Sequence, residues 1–163
     1  MATPTYDLLE SVTLATAASS VTFSSIDQSY GDLIVIVNSL GSTTLEARIR
    51  LNSDSGSNYN SVRMSGNGST ATSAALASQT SGSLSIIADA TTGEAILLKL
   101  DLQDYAATDK HKSMLARANQ SATGTEATAL RWASTAAVTA IEILTSTGNW
   151  AIGGTFNLYG VAK

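Results

Sequence analysis

The stretch Asn52-x-Asp54-x-Gly56-x-Asn58 sets oxygen-bearing side chains at alternate positions, the look of a calcium loop. An EF-hand loop needs a carboxylate where Gly56 stands and a bidentate Glu at the twelfth position, and Arg63 occupies that place. The same residues suit a hairpin loop held by Asx-turns with a glycine at positive φ, and that is the reading adopted. His111, the one histidine, sits between Lys110 and Lys112. A lone imidazole in a chain without cysteine cannot assemble a zinc site. No Gly-x-Ser-x-Gly elbow is present to pair it with a nucleophile. His111 is expected at an exposed strand or turn position, with contact to an acidic partner surface as its second reading. The 13 acidic residues are scattered from Asp7 to Glu142. A glycosidase pair meets in space and not in sequence, but few aromatic residues are available to line a sugar cleft. The sequence therefore predicts no catalytic residue, no metal site and no cofactor.

The large aromatic residues are the other candidates for contact. Trp132 falls in period with Leu130 and is expected in the core. Trp150 follows the turn signal Gly148-Asn149, and Tyr30 and Tyr59 also flank turns. Each of these three suits a core lid, an intersubunit anchor or a sugar-stacking platform. Trp150, Tyr30, Tyr59 and His111 are thus the candidate interface or ligand contacts. Asn67-Gly-Ser69 and Asn119-Gln-Ser121 match the glycosylation sequon.

The elements that must position these residues read as strands. The chain has 163 residues, 44% of them hydrophobic, enough for one domain with one core. Only 13% are charged, well below the roughly 25% of ordinary soluble domains. Ser and Thr, about a quarter of the chain, fill the gap. A net charge of −4 provides no basic face for nucleic acid. No apolar run is long enough for a membrane helix, and the start, Met1-Ala2-Thr3-Pro4, lacks the features of a signal peptide.

Period-two alternation dominates. Val21 and Phe23 alternate with Thr22 and Ser24. Leu45, Ala47, Ile49 and Leu51 alternate with Glu46, Arg48 and Arg50, a half-buried strand. Leu33-Ile34-Val35-Ile36-Val37, between Gly31-Asp32 and Gly41, reads as a strand buried on both faces. Further strands are expected from Tyr6 to Leu14, from Leu84 to about Asp89, and over Ala95–Leu102 after Thr92-Gly93. Others follow at Lys112-x-Met114-x-Ala116, at Leu130-x-Trp132, over 138–143 and at the end of the chain. Residues 65–82, rich in Gly, Ser, Thr and Ala, read as a long loop that, with the N-terminal residues, reaches neighbouring subunits. Nine to eleven strands with regular turn signals predict an all-β, antiparallel two-sheet sandwich, jelly-roll-like, as a single domain over 1–163.

Three stretches then stand out together: Asp32-Leu33-Ile34-Val35 followed by Ile49 to Tyr59; Leu130-Arg131-Trp132 through Thr139-Ala140-Ile141-Glu142-Ile143; and Phe156-Asn157-Leu158-Tyr159-Gly160-Val161. Their order and spacing resemble a family of small bacteriophage structural proteins, common in cyanophages and other marine phages, described variously as tail-fibre domains or capsid decoration proteins. The family pattern is a strand, then R-F-N-G-D-x-G-x-N-Y, then W-x-x-T-A-x-I-T-x-I, then a terminal L-Y-G. The chain departs with Leu51 where an aromatic is usual and Ser53 where Gly is usual. The resemblance implies a virion β-sandwich that forms a homotrimer. The chain begins at Met1 with no fibre shaft attached, so a capsid decoration (cement) protein on the outer head surface, partnered by the major capsid protein, is expected. The alternative is a tail or tail-fibre module that recognises a host surface glycan.

Overall fold

A computed structural model describes residues 4–41, 45–86, 95–120 and 124–163. Among them are twelve strands: β1 (Tyr6–Thr13), β2 (Ser20–Phe23), β3 (Asp32–Ser39), β4 (Glu46–Leu51), β5 (Tyr59–Gly66), β6 (Ala71–Gln79), β7 (Gly82–Ile86), β8 (Ile96–Leu102), β9 (Lys112–Gln120), β10 (Gly124–Trp132), β11 (Ile141–Thr145) and β12 (Thr155–Val161). They form an eight-stranded sheet, β1-β12-β3-β8-β9-β10-β5-β6, and a four-stranded sheet, β2-β11-β4-β7. All pairings are antiparallel. The expected all-β sandwich is therefore the fold. Residues 1–3 at the N-terminus, the strand end near Asp89, the Thr92-Gly93 lead-in and Ser121 of the second sequon lie outside the described residues.

The core lies between the sheets, built from the alternate residues that the sequence marked as apolar. Leu33, Val35 and Val37 of β3 and Ile96, Leu98, Leu100 and Leu102 of β8 face Ala47, Ile49 and Leu51 of β4 and Ile141 and Ile143 of β11, all buried. On β4 the partners Glu46, Arg48 and Arg50 are half-buried on the other side, as the alternation predicts. Arg48 pairs with Glu46 at 2.6 Å and Arg50 with Glu142 at 3.7 Å.

Two expectations change. In the apolar run 33–37 the core face is fully buried, and on the far face Ile34 is buried but Ile36 only half-buried. The stretch 65–82 is not a long loop. β5 and β6 form a hairpin whose turn is closed by Asn67: its amide donates to the carbonyl of Thr70 (3.1 Å), and its Oδ1 accepts the amides of Ser69 (3.1 Å) and Thr70 (2.8 Å). Gly68 takes φ +89°, which suits glycine. The strand escaped detection because β6 buries no side chain, so no apolar alternation marks it. Main-chain pairing with β5 and the Asn-Gly turn define it.

The end of the core near β12 is closed by Tyr30. Its ring lies so close over Gly160 that a Cβ there would come within 2.5 Å of the ring atoms Cγ and Cδ1. The terminal Leu-Tyr-Gly thus ends on a residue whose missing side chain makes room for an aromatic ring. Gly160→Ala is expected to displace Tyr30 and to cost about 1–3 kcal/mol, the usual range for overpacking. In a Tyr30→Ala background the same substitution should cost far less. A double-mutant cycle by urea unfolding checks this, and equal costs in both backgrounds would contradict the account.

Candidate functional site

The residues of the first two family-like stretches meet in one node. Tyr59 and Trp132 are register partners across β5 and β10, and Leu51 and Ile141 across β4 and β11. Trp132 donates its indole N–H to Asp54 Oδ2 at 2.6 Å, and Asn58 Nδ2 donates to the same oxygen at 2.9 Å. Asp54 Oδ1 accepts the Gly56 amide at 2.8 Å. Burial acts to raise the Asp54 carboxyl, but the hydrogen bonds from Trp132, Asn58 and Gly56 outweigh it and hold it below its ordinary value. Asn52 ties the next connection: its Oδ1 accepts the amides of Thr139 (2.8 Å) and Ala140 (3.1 Å), and its Nδ2 donates to the carbonyl of Ala137 (2.7 Å). Asn52 and Ser53 both take positive φ, 52° and 57°. The calcium-like spacing is therefore spent on structure. Among the described residues, no group of three or more His, Asp or Glu side chains gathers where a metal could sit.

The four candidate contact residues fall in different places. Trp150 is fully buried, edge-on to Phe156 with ring centroids 5.5 Å apart, and its main chain bridges Ala18 and Gly41. Tyr59 is also fully buried; its hydroxyl accepts the Leu51 amide at 2.9 Å and donates to the Asp54 carbonyl at 3.2 Å. Burial pushes its phenol up to about 12. Neither ring can serve as a surface anchor or sugar platform in this conformation: both are core residues. Tyr30 is half-buried at the end of the core. His111 is exposed just before β9. The structure does not bring the four together. Lys112, beside His111, turns inward and is buried, its Nζ donating to the carbonyls of Ala107 (2.7 Å) and Lys110 (3.1 Å). Desolvation lowers its pKa.

A different surface emerges from the register. The face of the eight-stranded sheet away from the core carries cross-strand rows. One row runs Leu8, Tyr159, Ile34, Asp101, Leu115, Ala129, Val62, Ala75 across β1, β12, β3, β8, β9, β10, β5 and β6. The next runs Asn157, Ile36, Lys99, Arg117, Ala127, Met64, Ser73 from β12 to β6. Directly opposed side chains on such rows lie within contact of one another. Leu8, Val62, Met64, Leu97 and Leu115 are each more than half exposed. At the centre Lys99 and Asp101 pair at 2.5 Å, and Arg117 is exposed with no ion pair among the described residues. Shallow grooves follow this face, one lined by Ile36, Leu97, Lys99, Arg117 and Asn119, another by Met64, Thr72 and Ala127. None of these residues is among the candidate contacts, which are aromatic residues beside turns and the one histidine.

Several carboxylates are engaged with cations. Asp101 and Asp104 pair with Lys99 and Lys110 (2.5 and 3.1 Å) on the surface. Glu126, buried on β10, pairs with Arg63 Nε at 3.0 Å and accepts from Ser85 Oγ at 3.1 Å.

No family model and no curated protein matches the chain. Among solved structures, a galectin of Caenorhabditis elegans, LEC-6, is similar at 12% identity over 100% of this chain and 99% of its own, with a TM-score of 0.39. The structure of infectious bursal disease virus, Gx strain, has 13% identity over 96% of this chain and 39% of its own, with a TM-score of 0.15.

The node around Asp54 makes a prediction. Asp54→Ala leaves the buried Trp132 indole N–H without its acceptor and should cost about 1–3 kcal/mol, and less in a Trp132→Phe background, where that donor is absent. Because the folded-state pKa is depressed, the Asp54 contribution is present above the ordinary carboxyl value and is lost as pH falls through the lowered one. The wild type should therefore lose more stability than Asp54→Ala as the solution is acidified below about pH 4. Urea unfolding at a series of pH values reads both effects.

Proposed function

We propose that this chain is a bacteriophage virion structural protein, a capsid decoration (cement) protein that binds the assembled head shell as a homotrimer. The resemblance of the Asn52–Tyr59, Trp132–Ile143 and Leu158–Gly160 stretches supplies the family reading. The observation that carries the mode of action is the exposed aliphatic face of the eight-stranded sheet. Leu, Val, Met and Ile side chains with one ion pair and, among the described residues, two exposed arginines outside any ion pair, Arg117 and Arg131, suit the surface of another protein. A sugar-binding tail module would want exposed aromatic platforms; both tryptophans are buried, and among the described residues Tyr6, on the edge strand β1, is the one aromatic residue more than half exposed.

The mechanism is thermodynamic. A protein that binds the assembled lattice and not free capsid subunits stabilises the lattice by mass action. Threefold symmetry lets one oligomer match a threefold or local threefold axis with three equal contacts. No chemical step is involved, and the work is done by surface removed from water.

Quantitative protein analysis of purified virions tests the reading. A copy number that scales with the major capsid protein is expected, and one that scales with the tail would overturn it in favour of the fibre module. Leu97→Gln with Leu115→Gln should weaken binding to empty shells about tenfold or more, as loss of central interface contacts does. Stability of the isolated chain should change little, within about 0.5 kcal/mol per site, because both positions are exposed.

A further inference from the structure

Four strands end the two sheets: β1 and β6 the large one, β2 and β7 the small one. An edge strand presents unpaired main-chain N–H and C=O groups, and proteins guard such edges with charge, proline, bulges or shortness. β2 and β7 are short, four and five residues. β1 carries Asp7 and Glu10 and a register shift between Leu8 and Glu10. β6 has nine residues, Ala-Thr-Ser-Ala-Ala-Leu-Ala-Ser-Gln, without charge or proline, and its one register shift against β5 lies at the far end, between Leu76 and Gln79. It lies inside a run, 64–88, that holds no charged residue at all.

One end of β6 is closed. The Ser78 amide donates to Asn60 Oδ1 at 2.8 Å, and the Ala77 carbonyl accepts from Gln79 Nε2 at 2.9 Å. From Ala71 to Leu76 the main chain has β5 as its strand partner on one side and none on the other among the described residues. No β6 side chain is buried. Ordering each residue costs backbone entropy, and here a single ladder without core burial opposes that cost.

We propose that the free edge of β6 pairs antiparallel with β6 of a second copy of this chain about a twofold axis, joining two eight-stranded sheets into one. The composition selects the occupant. Twofold pairing sets the strand against itself, so any charge on it would lie close to its own copy, and like charges opposed across strands are destabilising. A run of Ala, Ser, Thr and one Leu meets its copy without charge or steric conflict in any register. The β1 edge, with Asp7 and Glu10, does not. The pairing also continues the exposed aliphatic face of one copy into that of the other. It does not depend on the virion reading. It yields a dimer on its own and joins trimers in pairs where trimers form.

Light scattering of the full chain across a concentration series tests it. The wild type is expected to reach an even number of chains. Ala75→Lys with Ala77→Lys, both at exposed positions, should halve that mass with an unchanged circular dichroism spectrum. Mixing this variant with Ala75→Glu/Ala77→Glu should restore the mass, which a misfolded variant would not do. Amide exchange in residues 71–76 should slow with concentration in the wild type and not in the Lys variant. A wild type that stays monomeric or stops at three chains, or a Lys variant that keeps the wild-type mass, would overturn the edge pairing. Shell binding by such a protein would leave the decoration reading standing.

Discussion

A four-stranded sheet lies against one face of an eight-stranded sheet, and much else follows from that mismatch. The inner face has a full core, from Phe23 and Val21 through Leu33, Leu100 and Ile141 to Leu158. The outer face has no covering layer among the described residues, although Leu97, Leu115, Val62 and Met64 on it are aliphatic. Fully burying such a side chain is worth about 1.5–3 kcal/mol, a gain that the isolated chain forgoes at each of these positions. β6, at the rim of the large sheet, buries no side chain and has no strand partner on its outer edge among the described residues.

Polar groups inside the sandwich hold its connections in place. Asp54 and Asn52 each satisfy several main-chain or indole donors, so that the 52–58 loop and the 133–140 segment are fixed to each other as well as to the sheets. The amide of Ala133 donates to the carbonyl of Asn58 at 2.8 Å and completes the join. Lys112 caps carbonyls of the 107–110 turn from within, and Glu126 carries the buried ion pair with Arg63. A buried pair of this kind adds little net stability, yet removing one partner is costly. The loops are thereby held by specific bonds, while the outer face carries the Lys99–Asp101 pair and, nearer its rim, the hydrogen bond from Ser11 Oγ to Asn157 Oδ1.

How much of this was legible depended on whether side chains alternate. On β4 the alternation of Ala47, Ile49 and Leu51 with Glu46, Arg48 and Arg50 gave both the strand and its buried face, and Trp132 was placed in the core by its period with Leu130. Lys112, Met114 and Ala116 were grouped correctly, since all three are buried. Over 33–37 of β3 the pattern was apolar at every position, while on β8 Leu97 shares the second face with Lys99 and Asp101, and a sequence cannot say whether that face meets its own chain or another. β6 was invisible because exposed Ala, Ser and Thr show no period, although Asn67-Gly68 signalled its turn. Trp150 and Tyr59 were open to a surface role only because turns flank them; three-dimensional closure of the core, absent from local pattern, buries both.

The central claim is that the outer face of the eight-stranded sheet is covered by protein in the working assembly. Methionine oxidation reads this directly, since Met64 is 61% exposed on that face while Met114 is 2% exposed in the core. Dilute peroxide should oxidise Met64 readily in the isolated chain and slowly in the chain bound to intact shells, with Met114 slow in both. Equal oxidation of Met64 in free and bound protein would contradict the account.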